Sequence, residues 1–162
     1  MRSFPYTFCV WTVLAGSMAI ISLEITSAQA ACVCFPERYL SVHELYDFCK
    51  VPGKCGKPLA CEEEISLVQG TIDYDNVFEH SGYPQLPYEK FFLMGDAGSK
   101  LEVVALSPDN ATLFGNLFAA QKEGKRRAYL KGTVRGTDQH IMGACRRDIR
   151  LELTSPDDLD FR

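Results

Sequence analysis

The apolar residues of the chain change their spacing at residue 62. From there to residue 154 they fall in short β-type runs, interrupted once by helical spacing. Ile65-Ser66-Leu67-Val68-Gln69-Gly70-Thr71-Ile72-Asp73-Tyr74 is a long β-rich run with a glycine in its middle. A glycine inside a strand predicts a bulge or a sharp coil, as when one strand serves two neighbours. A loop over 79–88, rich in glycine, proline and aromatics, comes next. Lys90–Met94 and Leu101–Leu106 then flank the turn Gly95-Asp96-Ala97-Gly98-Ser99 and read as a hairpin. Ser107-Pro108-Asp109-Asn110 offers capping oxygens at a helix start, and Leu113, Phe114, Leu117 and Phe118 give that helix one apolar face. Gly124 ends it. Tyr129–Arg135 predicts a fourth strand, again with a central glycine, Gly132. Ile149, Leu151 and Leu153 alternate with Arg150 and Glu152, predicting a fifth strand with one wet face. The order is β-β-β-α-β-β, a mainly β domain over 62–154, and the acidic tail 155–162 is expected to fray.

A cysteine-rich lead, residues 31–61, precedes this body. Tyr39, Leu40, Val42, His43, Leu45 and Tyr46 suit a short amphipathic helix, and Pro52-Gly53, Gly56 and Pro58 break any regular structure after it. Cys32, Cys34, Cys49, Cys55 and Cys61 fall in this lead, while Cys145 lies far along the chain. Six cysteines in a small exported domain read as three disulfides, at least one tying the lead to the carboxy-terminal part. The competing reading is a metal site, from the C-x-C at Cys32-Val33-Cys34 and from His140 five residues before Cys145. Paired C-x2–4-C knuckles, the usual mark of structural zinc, are missing from the sequence. The pattern therefore favours disulfides and no metal.

The amino end supplies the oxidising context. Arg2 precedes an apolar stretch from Phe8 to Leu23, and Ala28 and Ala30 form an A-x-A cleavage site. Residues 1–30 are thus expected to be a secretory signal peptide that also removes Cys9. A membrane anchor is the alternative, but the apolar stretch Phe8–Leu23, closed by Glu24, falls short of the roughly 20 residues a bilayer requires. Acylation of Cys32 is a third option, disfavoured by Gln29 where a lipoprotein site wants an aliphatic residue. Removing 30 of the 162 residues leaves 132, enough for one core, and the charge stays at -4 because Arg2 and Glu24 cancel. A mildly acidic domain has no strong field for phosphate backbones, so nucleic acid is a poor partner. The expected location is the periplasm or the extracellular space.

Two resemblances sharpen the fold expectation. Val68-Gln69-Gly70-Thr71-Ile72, Leu130-Lys131-Gly132-Thr133-Val134, and the turn Gly95-Asp96-Ala97-Gly98 resemble an OB-fold. That is a five-stranded barrel with a helix between its third and fourth strands. The likeness covers roughly residues 62–154 and implies an OB-like barrel behind a cysteine-rich extension. Separately, Cys32-Val33-Cys34 opening such a domain is similar to netrin-like modules and tissue inhibitors of metalloproteinases. That likeness implies inhibition of an extracellular metalloenzyme through a free first-cysteine amine. Cleavage before Ala31 rather than Cys32 would misplace that amine.

Candidate chemistry is sparse. His43, His80 and His140 sit in no base or ligand motif, and neither G-x-S-x-G nor H-E-x-x-H occurs. Asp73, Asp75 and Glu79 are the carboxylates that an acid–base pair would draw on, though solvated loop charge is the far commoner explanation for such residues. An OB-like barrel would bind on its second and third strands and flanking loops, which points to Tyr83, Tyr88, Phe91 and Phe92. Strand alternation allows only one of the adjacent Phe91 and Phe92 to face outward, and the loop 79–88 is positioned to fold over it. Lys122, Lys125, Arg126 and Arg127, with Arg146 and Arg147, form the basic cluster, of which Arg126 and Arg127 are the candidates for an anion. Asn110-Ala111-Thr112 fits a glycosylation sequon at the helix cap. The expected function is an exported, non-catalytic binding module for a protein, glycan or small anionic ligand, with no cofactor. A small extracytoplasmic hydrolase and an envelope scaffold are the other classes considered.

Overall fold

The computed structural model describes residues 37–96 and 98–162. The expected export segment and the Cys32–Cys34 pair lie outside the described residues. The lead begins with a two-residue strand, β1 (Leu40–Ser41), which runs into helix α1 (Val42–Cys49). Ser41 starts the helix with a reciprocal cap. The Glu44 N–H donates to Ser41 Oγ at 3.2 Å, and the Ser41 N–H donates to Glu44 Oε2 at 2.8 Å. The Arg38 guanidinium and that Ser41 N–H hold the Glu44 carboxyl down to about 2. Val42, Leu45 and Cys49 face the core, and Lys50 leaves the helix in a left-handed conformation.

Two disulfides fasten this lead. Cys49–Cys61 closes a loop of 12 residues, and Cys55–Cys145 spans 90. The chain-entropy model gives about 3 kcal/mol for the short loop and about 4.6 kcal/mol for the long one. The second bridge ties the lead to the carboxy-terminal part, as the cysteine spacing requires.

The body is mainly β, one seven-stranded sheet with the helix α2 (Asn110–Lys122) against its inner side. Its strands are β2 (Ile65–Ile72), β3 (Glu89–Met94), β4 (Lys100–Ala105), β5 (Arg127–Ile141), β6 (Ala144–Leu153) and β7 (Leu159–Phe161), with β1 at one edge. Neighbours follow the order β1-β2-β3-β4-β6-β5-β7, and β2 also pairs with β5. The pairings β2–β3–β4–β6–β5 thus return to β2 as a partial ring. Its pairs are antiparallel except β4–β6, which is parallel. The ring is thinnest where β2 meets β3, through Thr71↔Met94 and Ile72↔Leu93 alone.

Gly70 of β2 and Gly132 of β5 mark close crossings of neighbouring backbone. A Cβ at Gly70 would come within 2.7 Å of the Met94 carbonyl oxygen, and one at Gly132 within 2.7 Å of the Glu152 carbonyl oxygen. Only a residue without a side chain lets β2 pass that close to β3, and β5 that close to β6. Inside, Phe91, Leu93, Leu101, Val103 and Leu151 are fully buried against Leu113, Phe114 and Leu117 of α2. The Phe91 and Phe114 rings meet edge to face with centroids 6.4 Å apart. Asp109 caps α2, its carboxylate accepting the Thr112 N–H at 3.2 Å.

Two features differ from the sequence expectation. The tail does not fray: Ser155 caps a short 3-10 turn over Pro156–Asp158, and β7 then pairs with β5 over Leu159–Phe161. Leu159, buried in the core, supplies the apolar anchor that a purely acidic tail would lack. The fourth and fifth predicted strands are also the bases of one long hairpin. Gln139↔Arg146, His140↔Cys145 and Ile141↔Ala144 close it over a two-residue turn, Met142-Gly143. Both turn residues have positive φ, 50° and 79°, the handedness that matches strand twist.

Candidate functional site

Alternation on β3 decides which side chains are offered to solvent. Phe91 and Leu93 point inward, so Lys90, Phe92 and Met94 point outward. Register places Phe92 beside Glu102 of β4, and Glu102 beside Arg150 of β6. Phe91 is therefore corrected from a candidate ligand contact to a core residue: its side chain is fully buried against α2.

The loop over 79–88 folds back on this outward row. Phe78 and Lys90 exchange backbone hydrogen bonds at 2.8 and 2.9 Å, which lays the Phe78 ring edge-on to Phe92, centroids 6.4 Å apart. Tyr83 packs on Phe78 at 5.0 Å and remains 41% exposed. Tyr88 takes the Arg150 guanidinium over its ring at 5.2 Å. Lys90 Nζ lies 5.7 Å from both Tyr88 and Phe92, and Lys100 Nζ stands 4.3 Å over Phe92. Tyr83, Tyr88 and Phe92 are thus brought together. Phe78, Lys90, Lys100 and Arg150 join them without having been singled out from the sequence. The shared parity of Lys90 and Phe92 on β3 was the signal that could have found Lys90.

Charge on this patch is balanced internally. Lys90 pairs with Glu102 at 2.7 Å, Lys100 with Asp73 at 2.8 Å and Arg150 with Glu152 at 2.7 Å. The Lys100 ammonium, chiefly, holds the Asp73 carboxyl below its ordinary range. With every cation matched, the surface offers aromatic faces and polarised edges rather than net positive potential.

The row runs into a cleft of about 420 Å³ lined by Thr71, Asp73, Tyr74, Met94, Gln121 and Arg126. Asp73 joins the two, its N–H donating to the Phe92 carbonyl at 3.0 Å. Arg126 belongs to this cleft, whereas the exposed Arg127 turns its guanidinium to Gln69 Oε1 at 3.2 Å. The basic cluster is dispersed. Lys125 pairs with Glu123, and Arg147 is committed to Glu62 and Asp138. At the other end of Lys100 lies a second cleft of about 310 Å³, with Tyr46, Ser99, Arg146 and Asp148 on its walls. The Tyr46 hydroxyl donates to the Lys100 carbonyl at 2.9 Å, and burial, with Asp148 nearby, pushes that phenol well up.

The remaining candidates are consumed locally. His43 faces Asp47, His80 Nε2 lies 3.1 Å from the Leu86 carbonyl, and His140 lies 3.5 Å from Cys145 Sγ, so the histidines occupy three separate elements. Glu79 accepts from Ser81, Asp73 is held as above, and Asp75 is exposed at the cleft. Asn110 donates from Nδ2 to Glu89 Oε2 at 2.6 Å and to the Ala105 carbonyl at 3.1 Å. The nitrogen a glycan would require is thus a structural donor. No protein-family model matches the chain, and no curated protein matches it.

Proposed function

We propose that the chain is an exported, non-catalytic binding module whose partial ring of strands is an OB-like barrel. Two features support the barrel. The helix α2 falls between the third and fourth ring strands, and the ring is completed by the parallel β4–β6 pair. Export rests on the leader pattern of residues 1–30, and the two disulfides fit an oxidising compartment. The observation that carries the function is the outward row of β3, where Phe92 lies under Phe78 and between two lysines, beside the exposed ring of Tyr83. Its balanced charge favours a ring-bearing ligand, a glycan or a peptide side chain, over a small anion.

The test is a binding screen of the secreted protein against neutral and sulfated oligosaccharides and proline-rich peptides. It is repeated with Tyr83→Ala and Phe92→Ala. Expected is capture of at least one ring-bearing ligand, weakened about fivefold or more by either substitution, since one stacked ring contributes roughly 1–3 kcal/mol. Unchanged capture in both variants would move the site elsewhere.

A further inference from the structure

Beyond the ring, β5 and β6 continue as a hairpin that no other ring strand borders. β5 leaves β2 at Thr133, and β4 borders β6 only from Arg150 onward. The projecting part, residues 136–148, is flanked on the β6 side by the lead segment through the Gly53↔Arg147 bridge and the Cys55–Cys145 disulfide. Arg147 braces it further, bonding Asp138 at 2.8 Å across the hairpin and Glu62 at 2.5 and 2.7 Å. The hairpin is therefore a stiff projection.

Its tip is apolar. Met142 is completely exposed and Ile141 is 44% exposed. Met142 also occupies a left-handed position, φ 50°, where asparagine would be the unstrained choice ahead of Gly143. A large apolar side chain held in that conformation in water contradicts local preference, and such contradictions gather at functional positions.

A cationic collar lies below the tip. Arg146 pairs with Gln139, two residues below the Ile141↔Ala144 pair that closes the turn, or about 7 Å down the strand at its rise per residue. Lys54 precedes the disulfide that fixes Cys145. Lys57 follows Gly56, whose N–H donates to Asp138. Among the described residues Lys54 and Lys57 make no ion pair. Arg146 is half exposed, 3.8 Å from the buried Asp148. Arg147 offsets one of the two charges on the nearby acids Glu62 and Asp138, and with Lys54, Lys57 and Arg146 set against Asp148 the collar keeps a small net positive charge.

We propose that this hairpin docks the protein on an anionic lipid surface, with Met142 and Ile141 entering the acyl boundary and the collar meeting the headgroups. The collar depth fits the roughly 5–10 Å to which interfacial segments sink. A convex tip of two apolar side chains is far smaller than the ~800 Å² per partner of a stable protein interface, whereas a bilayer accepts a wedge without a matching pocket. This surface is separate from the β3 row, so it stands or fails independently of the binding function proposed above.

The test is flotation of the secreted protein with phosphatidylcholine vesicles and with vesicles also containing phosphatidylglycerol, at low and high salt. Expected is binding to the anionic vesicles only, weakened by salt. Met142→Asn, which supplies the favoured Asn-Gly turn and keeps the hairpin, should lower that binding about tenfold with no loss of melting temperature. Lys54→Glu with Lys57→Glu should lower it at least about tenfold. Heparin beads separate the alternative source of negative charge. Equal vesicle binding by Met142→Asn and the parent, with heparin capture lost only on lysine reversal, would show a polyanion site and overturn the proposal. So would failure to float with anionic vesicles.

Discussion

Phe91 and Phe92 are neighbours in sequence and opposites in role, and so are the two faces of the β3–β4 hairpin. On the inner face Phe91, Leu93, Leu101 and Val103 are fully buried against α2, and the contacts are apolar throughout. On the outer face Lys90, Phe92, Lys100 and Glu102 form stacks and ion pairs that the surrounding water partly screens. The inner face holds the fold and tolerates little. The outer face, being partly solvated, is expected to contribute less to stability than the inner one.

That contrast can be broken by substitution. Phe91→Ala carries the largest expected effect, a loss of about 3–5 kcal/mol in denaturant unfolding, because the cavity beside Phe114 cannot refill. Removing the long staple with Cys55→Ser and Cys145→Ser is of similar size, about 4.6 kcal/mol by loop entropy, read as a lower urea midpoint. Acid should act through the Arg147 cluster. Its guanidinium holds both the Glu62 and the Asp138 carboxyls below their ordinary values. Their contribution is complete above the unfolded carboxylate range and is lost as pH falls through the depressed folded values. Melting temperature should therefore drop below about pH 4, and less steeply in Arg147→Gln. Phe92→Ala is expected to be the mildest, a loss of about 1 kcal/mol or less from its edge contact with Phe78. A loss comparable to that of Phe91 would mean both faces are core.

The sequence showed the strand bodies, the helix and the need for a long-range disulfide, because those follow from local periodicity and cysteine placement. Gly70 and Gly132 were legible as bends for the same reason. Other features depended on distant partners. β7 forms only because Leu159 finds a place in the core, which an acidic stretch does not advertise. The Met142-Gly143 turn carries no asparagine or aspartate, so the hairpin that joins the last two predicted strands was hidden. Arg147 read as part of a basic cluster until Glu62, 85 residues earlier, was placed against it. At the candidate site the outer aromatics were visible, but Phe78 and the lysines that cover Phe92 are set by how the loop folds back.

The most direct test of the outer face is an amide NMR titration of the protein with cellohexaose and with a heparin hexasaccharide. The account expects shifts confined to residues 78, 83, 88–94 and 100–102 with at least one of them, and none in α2. Shifts centred on Arg127 and β7, or saturable binding that leaves β3 unmoved, would contradict it.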